Sequence, residues 1–122
     1  MNKLNELKCF QIEKDLDIIA VNETWLNSCI PDNFILDNFH IFRKDRSSRG
    51  GGVLIAVRNS IKCSEKIVNN DFENIFVEIF INSKKFLICT LYKPPNQTNN
   101  FKDYLQNLFE IIDINFYDMI CF

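Results

Sequence analysis

Two spacings of apolar residues alternate along this chain. Leu4, Leu7, Phe10 and Ile12 recur near helical spacing between charged residues, which predicts an amphipathic helix from about Asn2 to Lys14. Asp15 to Asp17 reads as a turn. Ile18–Asn22 is then an unbroken apolar run closed by an asparagine, the pattern of a strand buried on both faces. Asn27 to Asn38 is loop-like, with Pro31, Asp32 and Asn33 as turn formers. Phe39–Arg43 alternates weakly, as a short strand does. Val53–Arg58 is apolar and strand-like, and Asn59-Ser60 turns the chain.

The second half continues in the same manner. Ile75–Ile81 alternates around Glu78, and Lys85–Tyr92 is largely apolar, with Asn82-Ser83-Lys84 as a hairpin connection. Pro94-Pro95 ends that strand. Phe101, Tyr104, Leu105, Leu108, Phe109 and Ile112 predict a second amphipathic helix, N-capped by Asn99 or Asn100. Asp118–Phe122 begins a further strand. A helix-to-strand opening of this kind is typical of an α/β or α+β sheet protein. No repeat, linker or low-complexity tract divides the 122 residues, so one domain is expected.

Composition narrows the function classes. Hydrophobic residues make up 47% of the chain and Gly and Pro are scarce, which argues against disorder. The twelve phenylalanines read as core filler. A net charge of −2 argues against a generic basic surface for nucleic acid and leaves a local one open. That local patch is Arg43-Lys44-Asp45-Arg46-Ser47-Ser48-Arg49, followed by Gly50-Gly51-Gly52. Its cations suit a phosphate backbone and equally suit a solvated loop. The glycines are not a phosphate-binding P-loop, because no Lys-Ser/Thr follows. Five scattered cysteines show no zinc or redox spacing. Their odd number, with no signal peptide, points to a reducing compartment. No apolar run reaches the roughly 20 residues that span a bilayer. A soluble, nuclear or cytoplasmic protein, neither secreted nor in a membrane, is the expectation.

The densest chemical signal is Glu23, directly after the first strand. An unpaired carboxylate is costly to bury, which puts it at the sheet rim, where α/β proteins place their sites. It is either a solvated strand-end residue or a ligand for a hard divalent cation. Tyr92 ends a later strand and by itself reads as a core aromatic at the end of a hairpin, with a phenol able to donate a hydrogen bond at the rim. Lys93 beside it reads as a phosphate contact or a solvated lysine. Asn22 and Asn96 are polar groups at the same rim or simply turn residues. His40, the one histidine, reads as an ordinary strand or loop residue.

Three stretches, DIIAVNETWL (17–26), RKDRSSRGGGVLIAVR (43–58) and LYKPPN (91–96), resemble in order and wording the endonuclease domain of non-LTR (LINE-type) retrotransposons. That domain is a member of the endonuclease/exonuclease/phosphatase superfamily, with the apurinic-site endonucleases and DNase I. The resemblance covers nearly the whole chain. It implies a partial four-layer αββα sandwich of the DNase I-like fold, here roughly one mixed sheet with two covering helices. It implies Mg²⁺- or Mn²⁺-dependent phosphodiester hydrolysis that nicks DNA for reverse transcription. Glu23 is then the metal ligand and Tyr92 a phosphate-contacting catalytic group. Arg43, Lys44, Arg46, Arg49 and Lys93 are backbone contacts, and a reverse-transcriptase region of the same element is a partner.

The sequence departs from the family in what it omits. The family opens with a strand carrying a site asparagine and continues into Gly-Asp-Phe-Asn and Ser-Asp-His motifs. None of these falls within the 122 residues. The chain therefore reads as truncated at both ends and inactive as a nuclease, with an open inner apolar face that promotes association. The other readings are a non-catalytic nucleic-acid-binding remnant and a phosphatase of the same superfamily.

Overall fold

The strand Val53–Arg58 (β3) is where the fold is organised, and its sequence shows why. Val53, Leu54, Ile55, Ala56 and Val57 are all essentially inaccessible to solvent. Both faces of β3 are covered, which explains an apolar run with no polar alternation. Ile18–Asn22 (β1) and Phe39–Lys44 (β2) flank it in a three-stranded antiparallel sheet of order β1-β3-β2. The register pairs Asn22 with Val53 on one side and Lys44 with Val53 on the other. A computed structural model gives this architecture for residues 2–45, 50–67, 73–92, 102–103, 106 and 118–121.

Leu54 and Ala56 face outward from this sheet. They form a cluster with Ile19, Leu26, Ile35 and Leu36, onto which Leu4, Leu7 and Leu16 pack. Leu4 and Leu7 come from the helix Asn2–Lys14 (α1), while Phe10 and Ile12 of the same predicted apolar face are exposed. Ile35 comes from a single helical turn, Asp32–Ile35 (α2), inside the stretch that reads as loop. Arg58 ties the turn after α1 to the end of β3. Its guanidinium donates to Asp17 at 2.8 Å, Asp15 at 2.7 Å and the Leu16 carbonyl at 2.9 Å. Those carboxylates hold the Arg58 pKa above its ordinary value.

Val53, Ile55 and Val57 face the other way, onto a second sheet. That sheet contains Lys62–Glu65 (β4), Glu73–Ile81 (β5), Lys84–Tyr92 (β6) and Asp118–Cys121 (β7), in the order β4-β5-β6-β7. The first two pairings are antiparallel and β6-β7 is parallel. Ile75, Val77, Ile79 and Ile88 meet the three β3 side chains in one buried cluster. Here the structure corrects the sequence reading. The αββα class holds, but the chain contributes two facing sheets where roughly one was expected. Among the described residues the inner apolar face is therefore covered by the second sheet.

Two smaller differences have clear reasons. β4 has a single apolar residue, Cys63, and lies at a sheet edge, so no pattern announces it. Its half-buried thiol is pushed up in pKa by burial. The predicted helix over Phe101–Ile112 falls mostly outside the described residues, of which Lys102, Asp103 and Gln106 are helical and exposed.

The β5-β6 hairpin turns on two residues, Asn82 and Ser83, both with positive φ (51° and 65°). Positive φ at both central positions fits a type I′ turn, which favours Asn-Gly. Serine there is strained by about 1–2 kcal/mol. Glycine removes that strain at an unfolded-state entropy cost of roughly 0.5–1 kcal/mol. Ser83→Gly is expected to stabilise the chain by about 0.5–1 kcal/mol, read as a higher melting temperature; no rise would argue against this turn.

Candidate functional site

Strand direction gathers the site. β1, β2 and β6 end, and β3 and β5 begin, at one end of the sandwich. Asn22, the last residue of β1, joins the two sheets there. Its side-chain amide donates to the Leu91 carbonyl at 3.3 Å, and its oxygen accepts from the Thr90 hydroxyl. Thr90 is fully buried, so this bond satisfies a hydroxyl that would otherwise be costly to leave in the core. Asn22 therefore acts as a clamp between the sheets. Tyr92 ends β6 in register with Glu73, which adds a second carboxylate to this rim.

Glu23 follows Asn22 on an unusual backbone. Glu23 and Trp25 have φ of +58° and +57°, a region that bulky L-residues rarely enter. The glycine loop holds them there. Thr24 N–H donates to the Gly52 carbonyl at 3.3 Å, and Trp25 N–H donates to Gly51 at 2.9 Å. The Trp25 ring lies over Gly50, where a Cβ would meet it at 3.4 Å. The sequence motif around Glu23 and the triple glycine thus form one packed unit. The exposed Glu23 carboxylate accepts from the Trp25 indole N–H at 3.1 Å.

The basic patch is distributed differently from its appearance in sequence. Arg43 donates to Asp32 at 3.1 Å, to Asp45 at 3.0 Å and to the Asn27 carbonyl at 2.8 Å. Only 14% of its side chain is exposed, so it fastens the 27–38 segment to β2. Lys44 is half-buried at the rim end of β2. Arg46, Arg49, Lys93 and Asn96 lie outside the described residues. His40 pairs with Val57, four residues and roughly 13 Å along β2 from Lys44, away from this end.

The donors here are hard oxygen groups, which suit Mg²⁺ or Mn²⁺. Among the described residues no three His, Cys, Asp or Glu side chains converge. A single exposed carboxylate such as Glu23 is compatible in chemistry with a hard cation that keeps most of its waters. Sequence reasoning singled out Glu23, which the structure puts at this rim, and did not single out Glu73, Thr90 or the Trp25 contact beside it. The first two belong to apolar strand ends with no motif, and the third depends on a positive φ that no residue type signals.

Comparison with known proteins bears on the fold. No family model and no curated protein matches this sequence. Among solved structures the chain is similar to D. rerio TDP2 complexed with a single-strand DNA product. The TM-score is 0.63 at 14% identity, over 97% of this chain and 50% of that one. This chain thus spans about half the length of TDP2. Strand order, facing sheets and this likeness agree that the chain carries a partial DNase I-like fold.

Proposed function

We propose that this rim binds the sugar-phosphate backbone of DNA, with Glu23 presenting Mg²⁺ or Mn²⁺ to a phosphodiester. The observation that carries the reading is Glu23 itself, an exposed carboxylate held by the glycine loop at the strand ends. The likeness to a fold that, in D. rerio TDP2, holds a single-strand DNA product supports a nucleic-acid ligand. The bound cation would supply charge to the phosphate oxygens. Tyr92 would donate its phenol to a phosphate oxygen, and Lys44, Arg46, Arg49 and Lys93 would contribute cations along the backbone. Arg43 would act on DNA only indirectly, by fixing the loop. The LINE-type resemblance supports reading this chemistry as that of a retrotransposon DNA-nicking endonuclease, which would work beside a reverse-transcriptase region, in the nucleus or cytoplasm. No helix among the described residues is long and apolar enough to cross a membrane.

Binding without robust cutting is the reading we favour for these 122 residues, which contain no Gly-Asp-Phe-Asn or Ser-Asp-His to activate water. The test is affinity for a labelled single-stranded oligonucleotide, with and without Mg²⁺, across a salt series. Mg²⁺ is expected to tighten binding, and Glu23→Gln to remove that gain, about tenfold or 1.4 kcal/mol. Affinity should fall with salt. Binding indifferent to both Mg²⁺ and Glu23→Gln would overturn the proposal. Plasmid nicking that Glu23→Ala abolishes would replace the binding reading with the nuclease one.

A further inference from the structure

Trp25 is the one tryptophan of the chain, and 57% of it is exposed. An aromatic so exposed is normally free to move, yet this one is fixed from three sides. Its backbone N–H is bonded to Gly51, its ring lies over Gly50, and its indole N–H is bonded to Glu23 Oε2. Both Glu23 and Trp25 adopt positive φ, two residues apart. Strain of this kind persists only where the surroundings over-determine it. The hydrogen bonds from the glycine loop supply that determination.

We infer that Trp25 is a positioning residue for Glu23: its indole N–H holds one carboxylate oxygen so that the group meets a divalent cation already oriented. The inference rests on the proposed role of Glu23 as the cation's ligand. Its physical basis is preorganisation. A glutamate on three rotatable bonds loses that freedom when a metal captures it. A hydrogen bond already in place removes part of that loss from the binding step. Groups that hydrogen-bond a ligating carboxylate in this way commonly change metal affinity by 10–100-fold when removed. The exposed setting of this bond points to the lower end, about tenfold.

This assigns a purpose to the triple glycine. Gly50 gives the ring a surface without a side chain, and Gly51 accepts the Trp25 N–H. The loop that reads as a cationic arm is also the mould for the Glu23–Trp25 pair.

The experiment uses Mn²⁺ alone as the probe, with the unbound ion counted by electron paramagnetic resonance. Trp25→Phe keeps an aromatic ring and deletes the N–H, together with the part of the indole that lies over Gly50. It is expected to weaken Mn²⁺ binding about tenfold while the protein stays folded at the assay temperature. Glu23→Gln is expected to weaken it at least as much, and the double variant no further than Glu23→Gln alone. Unaltered protein gives a reading free of substitution: Mn²⁺ should quench the single tryptophan emission with the midpoint found by resonance. Wild-type affinity in Trp25→Phe beside a weakened Glu23→Gln would overturn the positioning role and leave the Glu23 ligand standing. Wild-type affinity in both would overturn the ligand and the positioning role together.

Discussion

Gly52→Ala is expected to destabilise the chain by on the order of 3 kcal/mol and to displace Glu23. Two separate costs produce that figure. Gly52 has φ +92°, outside the region an alanine adopts comfortably. A residue held in such a conformation carries about 1–3 kcal/mol of strain. A Cβ built there would also lie 2.5 Å from Thr24 Oγ1, closer than real Cβ contacts come. Overpacking of this sort costs about 1–3 kcal/mol when backbone must shift to relieve it. The atom in the way is on a short, β-branched side chain, which has little freedom to turn aside.

The two costs separate in a double-mutant cycle. Thr24→Ala removes the clash and leaves the φ strain untouched. Gly52→Ala/Thr24→Ala is therefore expected to be less destabilised than the sum of the single variants, by about 1–2 kcal/mol. Urea unfolding gives the stabilities. Tryptophan emission reports the site, because the Trp25 ring rests on the same loop at Gly50. A Gly52→Ala variant within about 0.5 kcal/mol of wild type, with unchanged emission, would refute the close approach of loop and strand end.

Individual strands were legible because burial leaves a mark on residue order. Ile18–Val21 and Val53–Val57 are continuous apolar runs, but only the second is the central strand of its sheet; the first pairs at the sheet edge with Ile19 alone buried, so an apolar run did not there mean burial on both faces. Their partnership was not legible. A run buried on both faces does not say what covers each face. Whether Ile55 meets a second sheet depends on Ile75, Val77 and Ile88, between 20 and 33 residues later. The same limit applies at the site. Glu23 stood out because a carboxylate closing an apolar strand is unusual. Arg43 looked like a phosphate contact because a sequence displays its cations but not their pairing. Its partners Asp32 and Asp45 make it a fastening of the loop. Asn22, read as a rim ligand or a turn residue, gained its role only when Thr90 arrived beside it from the other sheet.

Ile55→Ala tests the arrangement of the two sheets, and is expected to cost about 2–5 kcal/mol. Ile55 is at the centre of the inter-sheet cluster with no exposed surface, opposite Ala20 and Phe42 in the register. Truncation removes buried methyl groups and leaves a cavity between two sheets that hydrogen bonds hold apart, so collapse is limited. A domain of this size is stable by only about 5–15 kcal/mol, so the loss is a large share of the whole. At roughly 4 °C per kcal/mol, the melting temperature should fall by on the order of 10 °C or more. Ile67→Ala is the control: that side chain is 77% exposed, and its loss should stay within about 0.5 kcal/mol. A single sheet with an open face predicts the opposite. Ile55 would then face solvent, its truncation would be nearly neutral, and it would relieve association by shrinking an apolar patch. A steep, cooperative loss of stability in Ile55→Ala, with Ile67→Ala unchanged, therefore distinguishes a closed sandwich from an open sheet. It also tests the frame that holds Glu23, because the clamp from Asn22 to Thr90 requires both sheets face to face.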